Sequence, residues 1–169
     1  MSEALINVVA FDAVSTPAAV ELLRPVCAST QWLQALADGR PYGKFGAVVE
    51  RSDAVLADVP WTGVEEAMTA HPRIGERAAG ADRESSWSRQ EQSSASAATV
   101  DDSTALHEGN VAYEQHFGHV FLVCATGRTP RQILDALNER LDNDVDTERQ
   151  VVRRELAAIV RLRLAKVLT

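Results

Sequence analysis

The chain has 169 residues, the length of one domain with its own core. Hydrophobic residues make up 46% and charged residues 24%, which excludes global disorder, and no apolar run is long enough to cross a bilayer. The net charge of −7 argues against a nucleic-acid binder, which carries a basic face.

Helical periodicity dominates from the start. Thr16 is expected to cap a helix over 17–27, with Pro17 at the first helical position. Residues 30–38 form the next and stop at Gly39. A third covers 44–57. Thr62-Gly63-Val64-Glu65 has the spacing of a capping box and predicts a helix to about Ala70, which His71-Pro72 ends. Residues 72–87 are polar and contain glycine, so a long loop is expected there. Ser88-Arg89-Gln90-Glu91 has a second capping-box spacing and predicts a helix start running through Gln92–Ala98. A helix over about 102–117 stops at Gly118, and Val120–Ala125 is a short apolar connector or helix start. Thr129-Pro130 opens a helix to about Leu141, and 147–167 is the last and longest. No repeat and no linker interrupts the chain. The expectation is an all-α, single-domain bundle of seven or eight helices over 1–169.

Cys27 and Cys124 have no CxxC spacing, so neither a disulfide framework nor structural zinc is expected. Met1-Ser2-Glu3-Ala4 lacks the basic start of a signal peptide, and a cytoplasmic location follows as an expectation.

Several polar residues break the apolar pattern. At 100° per residue, Val152, Leu156, Ile159, Arg163 and Val167 fall within about 80° of one another, with Val160 beside them. Arg163 therefore lies inside an apolar stripe, while Arg161 points to solvent. A buried guanidinium needs an anionic or carbonyl partner. It is either a structural ion pair or a fork for a substrate carboxylate. His71 ends its helix beside the long loop, next to a rigid proline. It is either a structural group or a proton carrier with a suitable intrinsic pKa. Ser88 and Glu91 serve as caps, or as part of a site with Gln92. Asn110 shares a face with Leu106, Tyr113 and Phe117, which fits a side chain that ties backbone groups together. His116 and His119 are three apart, but Gly118 ends the helix between them, so no metal pair is expected, and no phosphate-loop, dinucleotide, GxSxG or HExxH motif is present.

Taken in order, these segments resemble one family. Trp32 stands in an early helix, followed by Arg40-Pro41-Tyr42 and Ala70-His71-Pro72-Arg73-Ile74-Gly75. Ser88-Arg89-Gln90-Glu91-Gln92 comes next, then Asn110-x-x-Tyr113 with Phe117-Gly118, Phe121–Ala125 with Gly127-Arg128, and a closing Leu162-Arg163-Leu164. Over nearly its whole length the chain resembles the 2-oxo-4-hydroxy-4-carboxy-5-ureidoimidazoline (OHCU) decarboxylases of urate breakdown. The resemblance implies an all-α homodimer that releases (S)-allantoin without metal or organic cofactor. It implies His71 as the catalytic histidine and places the family's substrate-binding glutamate on Glu91, which we read as a catalytic group sharing proton transfer with His71. It further implies Pro72, Ser88, Gln92, Val123 and Arg163 as substrate-binding residues, the connector lining the pocket with backbone groups. The chain departs from the family after Gln92, where Ser93-Ser94-Ala95 replaces a small residue and glycine. The ending Lys166-Val167-Leu168-Thr169 lacks a peroxisomal address, in keeping with the cytoplasmic expectation.

Such a substrate carries its own electron sink, a C=N beside the carbon that loses CO2, which explains why no cofactor motif is needed. Two other classes compete: a helical interaction module without catalysis, in which these residues are caps and ion pairs, and a metal-dependent ureide hydrolase. No nucleic acid and no membrane enters either reading.

Overall fold

The structure, a computed structural model, describes residues 6–76, 83–93 and 99–168. Nine helices and no β-strand occur among these residues. The chain divides into two compact units, residues 1–70 with 157–169, and residues 71–156.

The first unit contains α1 (Val8–Ala13), α2 (Thr16–Leu23), α3 (Thr30–Asp38), α4 (Phe45–Asp58), α5 (Trp61–Met68) and the end of α9 (Val145–Val167). The side chains of Asn7, Ser15 and Ser29 accept the first-turn amides of Ala10, Ala18 and Trp32, which have no partner within the helix, and so start α1, α2 and α3. Trp32 is fully buried, and its indole N–H donates to Ser52 Oγ of α4 at 2.9 Å. This satisfies the polar tip of a large apolar group. Phe11, Leu23, Leu36, Val48, Leu56 and Val64 complete this core with Val160, Leu164 and Val167 of α9.

Three expectations change here. The six-residue α1 raises the helix count above the expected seven or eight. Helix α2 ends at Leu23 instead of residue 27, because Pro25 has no amide to continue the ladder. Helix α5 starts at Trp61 after Pro60 and has no side-chain cap. The Glu65 carboxylate, expected to close a capping box on Thr62, accepts the Trp61 indole N–H at 2.9 Å.

The second unit contains α6 (Arg83–Glu91), α7 (Val100–Phe117), α8 (Pro130–Leu141) and the start of α9. Thr129 and Gln132 form a reciprocal capping box at the start of α8. Gly118, at φ +79°, closes α7 in the left-handed region, as its sequence position predicts. Gly109 lets α7 and α8 approach closely, since a Cβ there would lie 2.8 Å from Leu137 Cδ2. Ile74, Leu106, Tyr113, Phe121, Val123, Ala125, Ile133 and Leu137 form the core of this unit. Val120–Ala125 is a connector with neither helix nor strand, and most of it is buried.

The expected capping box at Ser88 is not formed. Helix α6 begins at Arg83, inside the expected loop, and places Ser88–Glu91 in its last turn. The S-x-x-E spacing that suits a cap is also one helical turn, so the same residues sit equally well inside a helix. Helix α6 closes at Glu91, and the rest of the expected helix, Ser94–Ala98, lies outside the described residues. No helix among the described residues is long and apolar enough to cross a membrane.

Candidate active site

The segment from His71 to Gly75 follows the end of α5, and Pro72 bars helix continuation. It is tied down at three successive residues, by the side chain of Arg73 and the main chain of Ile74 and Gly75. Arg73 grips Glu114 of α7 through two bonds, Nε to Oε1 at 2.5 Å and Nη2 to Oε2 at 2.9 Å. Asn110 Nδ2 donates to the Ile74 carbonyl at 2.9 Å, the backbone-tying role its position suggested. The Gly75 amide donates to Gln92 Oε1 at 3.1 Å. Gly75 sits at φ +90°, where side chains are strained, and a Cβ there would also press on Leu106 Cδ2 at 3.3 Å. Hydrogen bonding from Arg73, helped by its charge, holds the Glu114 carboxyl below the usual carboxylate range. His71 and Pro72, both half-buried, open this tethered loop.

The end of α6 meets the loop through Gln92. Ser88 is buried one turn back, while Glu91 and Gln92 are half-buried. Ser88, Glu91 and Gln92 stand at i, i+3 and i+4, which puts them on one side of the helix end. The connector forms the third part. Val123 is buried and belongs to the same apolar cluster as Ile74 of the loop. Beside it, burial pushes the Cys124 thiol pKa up, and the charges of Glu155 and Glu91 push it further. His71, Pro72, Ser88, Glu91, Gln92 and Val123 all belong to this second unit.

Arg163 belongs to the first unit. It is fully buried, as the apolar stripe predicts, and its Nη1 donates to the Pro25 carbonyl at 3.3 Å. Arg161 faces solvent and forks onto Asp53, with its side chain 54% exposed. The two arginines therefore take the opposite orientations that the helical phase requires.

Sequence reasoning missed three charged residues around the connector. Arg140 of α8 donates from Nη1 to the Leu122 carbonyl at 2.8 Å and from Nε to Glu148 Oε1 at 2.8 Å. Its Nη2 lies 2.6 Å from the same Glu148 oxygen, at an angle outside hydrogen-bond geometry. Glu148 also accepts from Tyr113 Oη and from Asn143 Nδ2. Burial and the Glu148 contact hold the Tyr113 hydroxyl well above the usual tyrosine range. Glu155 of α9 accepts the Cys124 amide at 2.7 Å and pairs with Arg128 Nη2 at 3.1 Å. The signal was present: Arg140 continues the apolar positions Ile133 and Leu137 at helical spacing, as Arg163 continues Val152, Leu156 and Ile159. His116 and His119 pack their rings on Phe117 and Tyr113. Among the described residues no group of three or more His, Cys, Asp or Glu side chains is placed to hold a metal ion.

Comparison with known proteins gives a consistent family. The OHCU decarboxylase profile matches residues 12–165. The uric acid degradation bifunctional protein TTL of Arabidopsis thaliana is 33% identical over 144 residues, 83% of this chain and 44% of that protein. The chain thus spans less than half the length of that bifunctional relative. The 2-oxo-4-hydroxy-4-carboxy-5-ureidoimidazoline decarboxylase of Amia calva is 29% identical, over 85% of this chain and 81% of that one. A crystal structure of an OHCU decarboxylase in the presence of (S)-allantoin superposes with a TM-score of 0.74 at 30% identity, covering 85% of this chain and 94% of that one. A crystal structure of an (S)-allantoin synthase shares the fold, with a TM-score of 0.73 at 16% identity over 96% of this chain and 54% of that one. The chain belongs to the OHCU decarboxylase family.

Proposed function

We propose that this chain decarboxylates 2-oxo-4-hydroxy-4-carboxy-5-ureidoimidazoline to (S)-allantoin, the carboxy-lyase step of urate degradation that its family carries out. One observation supports the site most directly. The Gly75–Gln92 hydrogen bond joins the loop that begins at His71 to the end of α6 that carries Ser88 and Glu91. The residues that the family resemblance picks out from distant sequence segments are thereby linked.

The reaction breaks the bond between the ring carbon and its carboxylate. That electron pair becomes a C=C to the neighbouring carbon, and the C=N nitrogen takes the displaced π pair and a proton. The hydroxyl then loses its proton to become a carbonyl as the neighbouring carbon is protonated on one face. The substrate supplies the electron sink, so the protein needs only to orient, place charge and move protons. His71 and Glu91 share the two proton transfers, at the hydroxyl and at the new stereocentre. Ser88 and Gln92 hold the ring and ureido groups, with Pro72 and the Val123 backbone beside them. Arg163 pairs with a substrate anion or carbonyl through its planar fork. The whole of 1–169 acts as one catalytic domain, as a cytoplasmic homodimer, and no metal or organic cofactor takes part.

Turnover of OHCU generated in situ from urate tests this reading. The chain should accelerate its loss, and a chelator should leave the rate unchanged. A rate equal to the spontaneous one would favour a non-catalytic interaction module. Loss of activity with chelator would point to a metal-dependent ureide enzyme.

A further inference from the structure

Two charged side chains hold the connector's main chain on either side of Val123. Arg140 donates to the Leu122 carbonyl at 2.8 Å, and Glu155 accepts the Cys124 amide at 2.7 Å. Each is itself held: Arg140 by Glu148, and Glu155 by Arg128. Hydrogen bonds with an ionised partner are shorter and about twice as strong as neutral ones. The Arg140–Glu148 pair is buried, with side chains 8% and 0% exposed. Buried ion pairs are often no more stabilising than apolar side chains of the same volume, so stability alone does not account for it.

The geometry has a direct consequence for Val123. A trans peptide is planar, and its C=O and N–H point in opposite directions. A bond to the Leu122 carbonyl therefore turns the Val123 N–H away from Arg140. A bond to the Cys124 amide likewise turns the Val123 carbonyl away from Glu155. Among the described residues neither of these Val123 groups makes a hydrogen bond, although the residue is only 3% exposed. Main-chain groups in buried residues are nearly always paired, and one donor beside one acceptor suits a flat cyclic ureide.

We propose that Arg140 and Glu155 are positioning residues that clamp the two peptide planes of Val123, so that its N–H and C=O are presented to the substrate. The proposal rests on the reading that the connector lines an OHCU decarboxylase site. Neither residue touches the reacting atoms. Each acts through the main chain of its neighbour.

Glu155 is the better place to test it, because removing Arg140 strands the buried Glu148 charge. Glu155→Gln keeps an oxygen at the same reach and loses the charge. Glu155→Asp keeps the charge and draws the oxygen back by one methylene. Binding of (S)-allantoin, KM and kcat, and hydrogen exchange of the Cys124 amide are measured on the full chain. The aspartate variant is expected to expose the Cys124 amide to faster exchange. It should weaken (S)-allantoin binding and raise KM about tenfold, the effect of about 1.4 kcal/mol, with a smaller change in kcat. The glutamine variant keeps the oxygen but loses the charge and the Arg128 pair, and is expected to show the same changes to a smaller degree. The reverse order, or an aspartate variant with a freed amide and unchanged affinity and KM, would overturn the clamp while leaving the decarboxylase reading intact. A parent chain that neither binds (S)-allantoin nor turns over OHCU would overturn both.

Discussion

Gln92 accepts the Gly75 amide at 3.1 Å, and this bond ties the last turn of α6 to the loop that begins at His71. It uses the Oε1 acceptor of the side chain and leaves Nε2 as its donor end. Gln92→Glu should keep the Gly75 bond and lose the donor. The fold should hold while affinity for (S)-allantoin falls about tenfold, the scale of one hydrogen bond. Gln92→Met should hand the exposed Gly75 amide to solvent and cost about 0.5–1.5 kcal/mol, the net worth of one hydrogen bond, read by denaturant unfolding. A glutamate variant with full affinity would confine Gln92 to tying the loop.

His71→Ala should fold normally, since His71 lies beyond the last residue of α5 and outside the apolar cluster. A positioned proton donor is worth about 10²–10⁴ in rate, and the loss should be of that order. Glu91→Gln separates structure from chemistry at the end of α6. Its melting temperature should stay near the parent's, and its rate should fall by orders of magnitude. Activity retained at either position would remove that residue from the proton path.

Arg163→Lys and Arg161→Lys both keep the charge and nearly the same helix propensity. Arg161 forms an exposed pair with Asp53, and such pairs contribute only about 0–1 kcal/mol. Arg163 is fully buried, and lysine cannot reproduce its fork. Titration with (S)-allantoin should show weakened binding at 163 and none of that effect at 161. Reduced stability at 163 with unchanged affinity would assign it to structure alone.

The Arg73–Glu114 pair predicts a pH dependence of the loop. The Glu114 carboxyl is held below its ordinary range in the folded chain, so its contribution is present above the unfolded pKa of about 4.3. That contribution is lost as pH falls through the lower folded value. Glu114→Gln should therefore be less stable than the parent at neutral pH, and the difference should shrink in acid. A constant difference across pH would show that the charge on Glu114 is not what holds Arg73.

The helix boundaries that carry strong local chemistry were legible in the sequence. Thr129 with Gln132 fixes one end by a reciprocal cap and Gly118 another in the left-handed region, and the stop at Gly39 was legible too, although Gly39 itself stays right-handed at φ −73°. The burial of Arg163 was legible from its apolar neighbours, and that of Asn110 from its helix face. Ser88 and Glu91 were misread because one spacing serves both a cap and a helical turn. The anchors Arg140, Glu148 and Glu155 were hidden for another reason. Their partners, Leu122, Tyr113 and Cys124, are distant in sequence, and two of the contacts involve main-chain atoms that no side-chain pattern reports.

The most direct test of the decarboxylase assignment is the circular dichroism of allantoin as it forms from OHCU generated in situ from urate. With the chain present, the signal should rise faster than without it and correspond to (S)-allantoin alone, because the proton reaches one face of the new stereocentre. His71→Ala should return it toward the slow, racemic background. Racemic allantoin at the spontaneous rate in the presence of the unaltered chain would contradict the account.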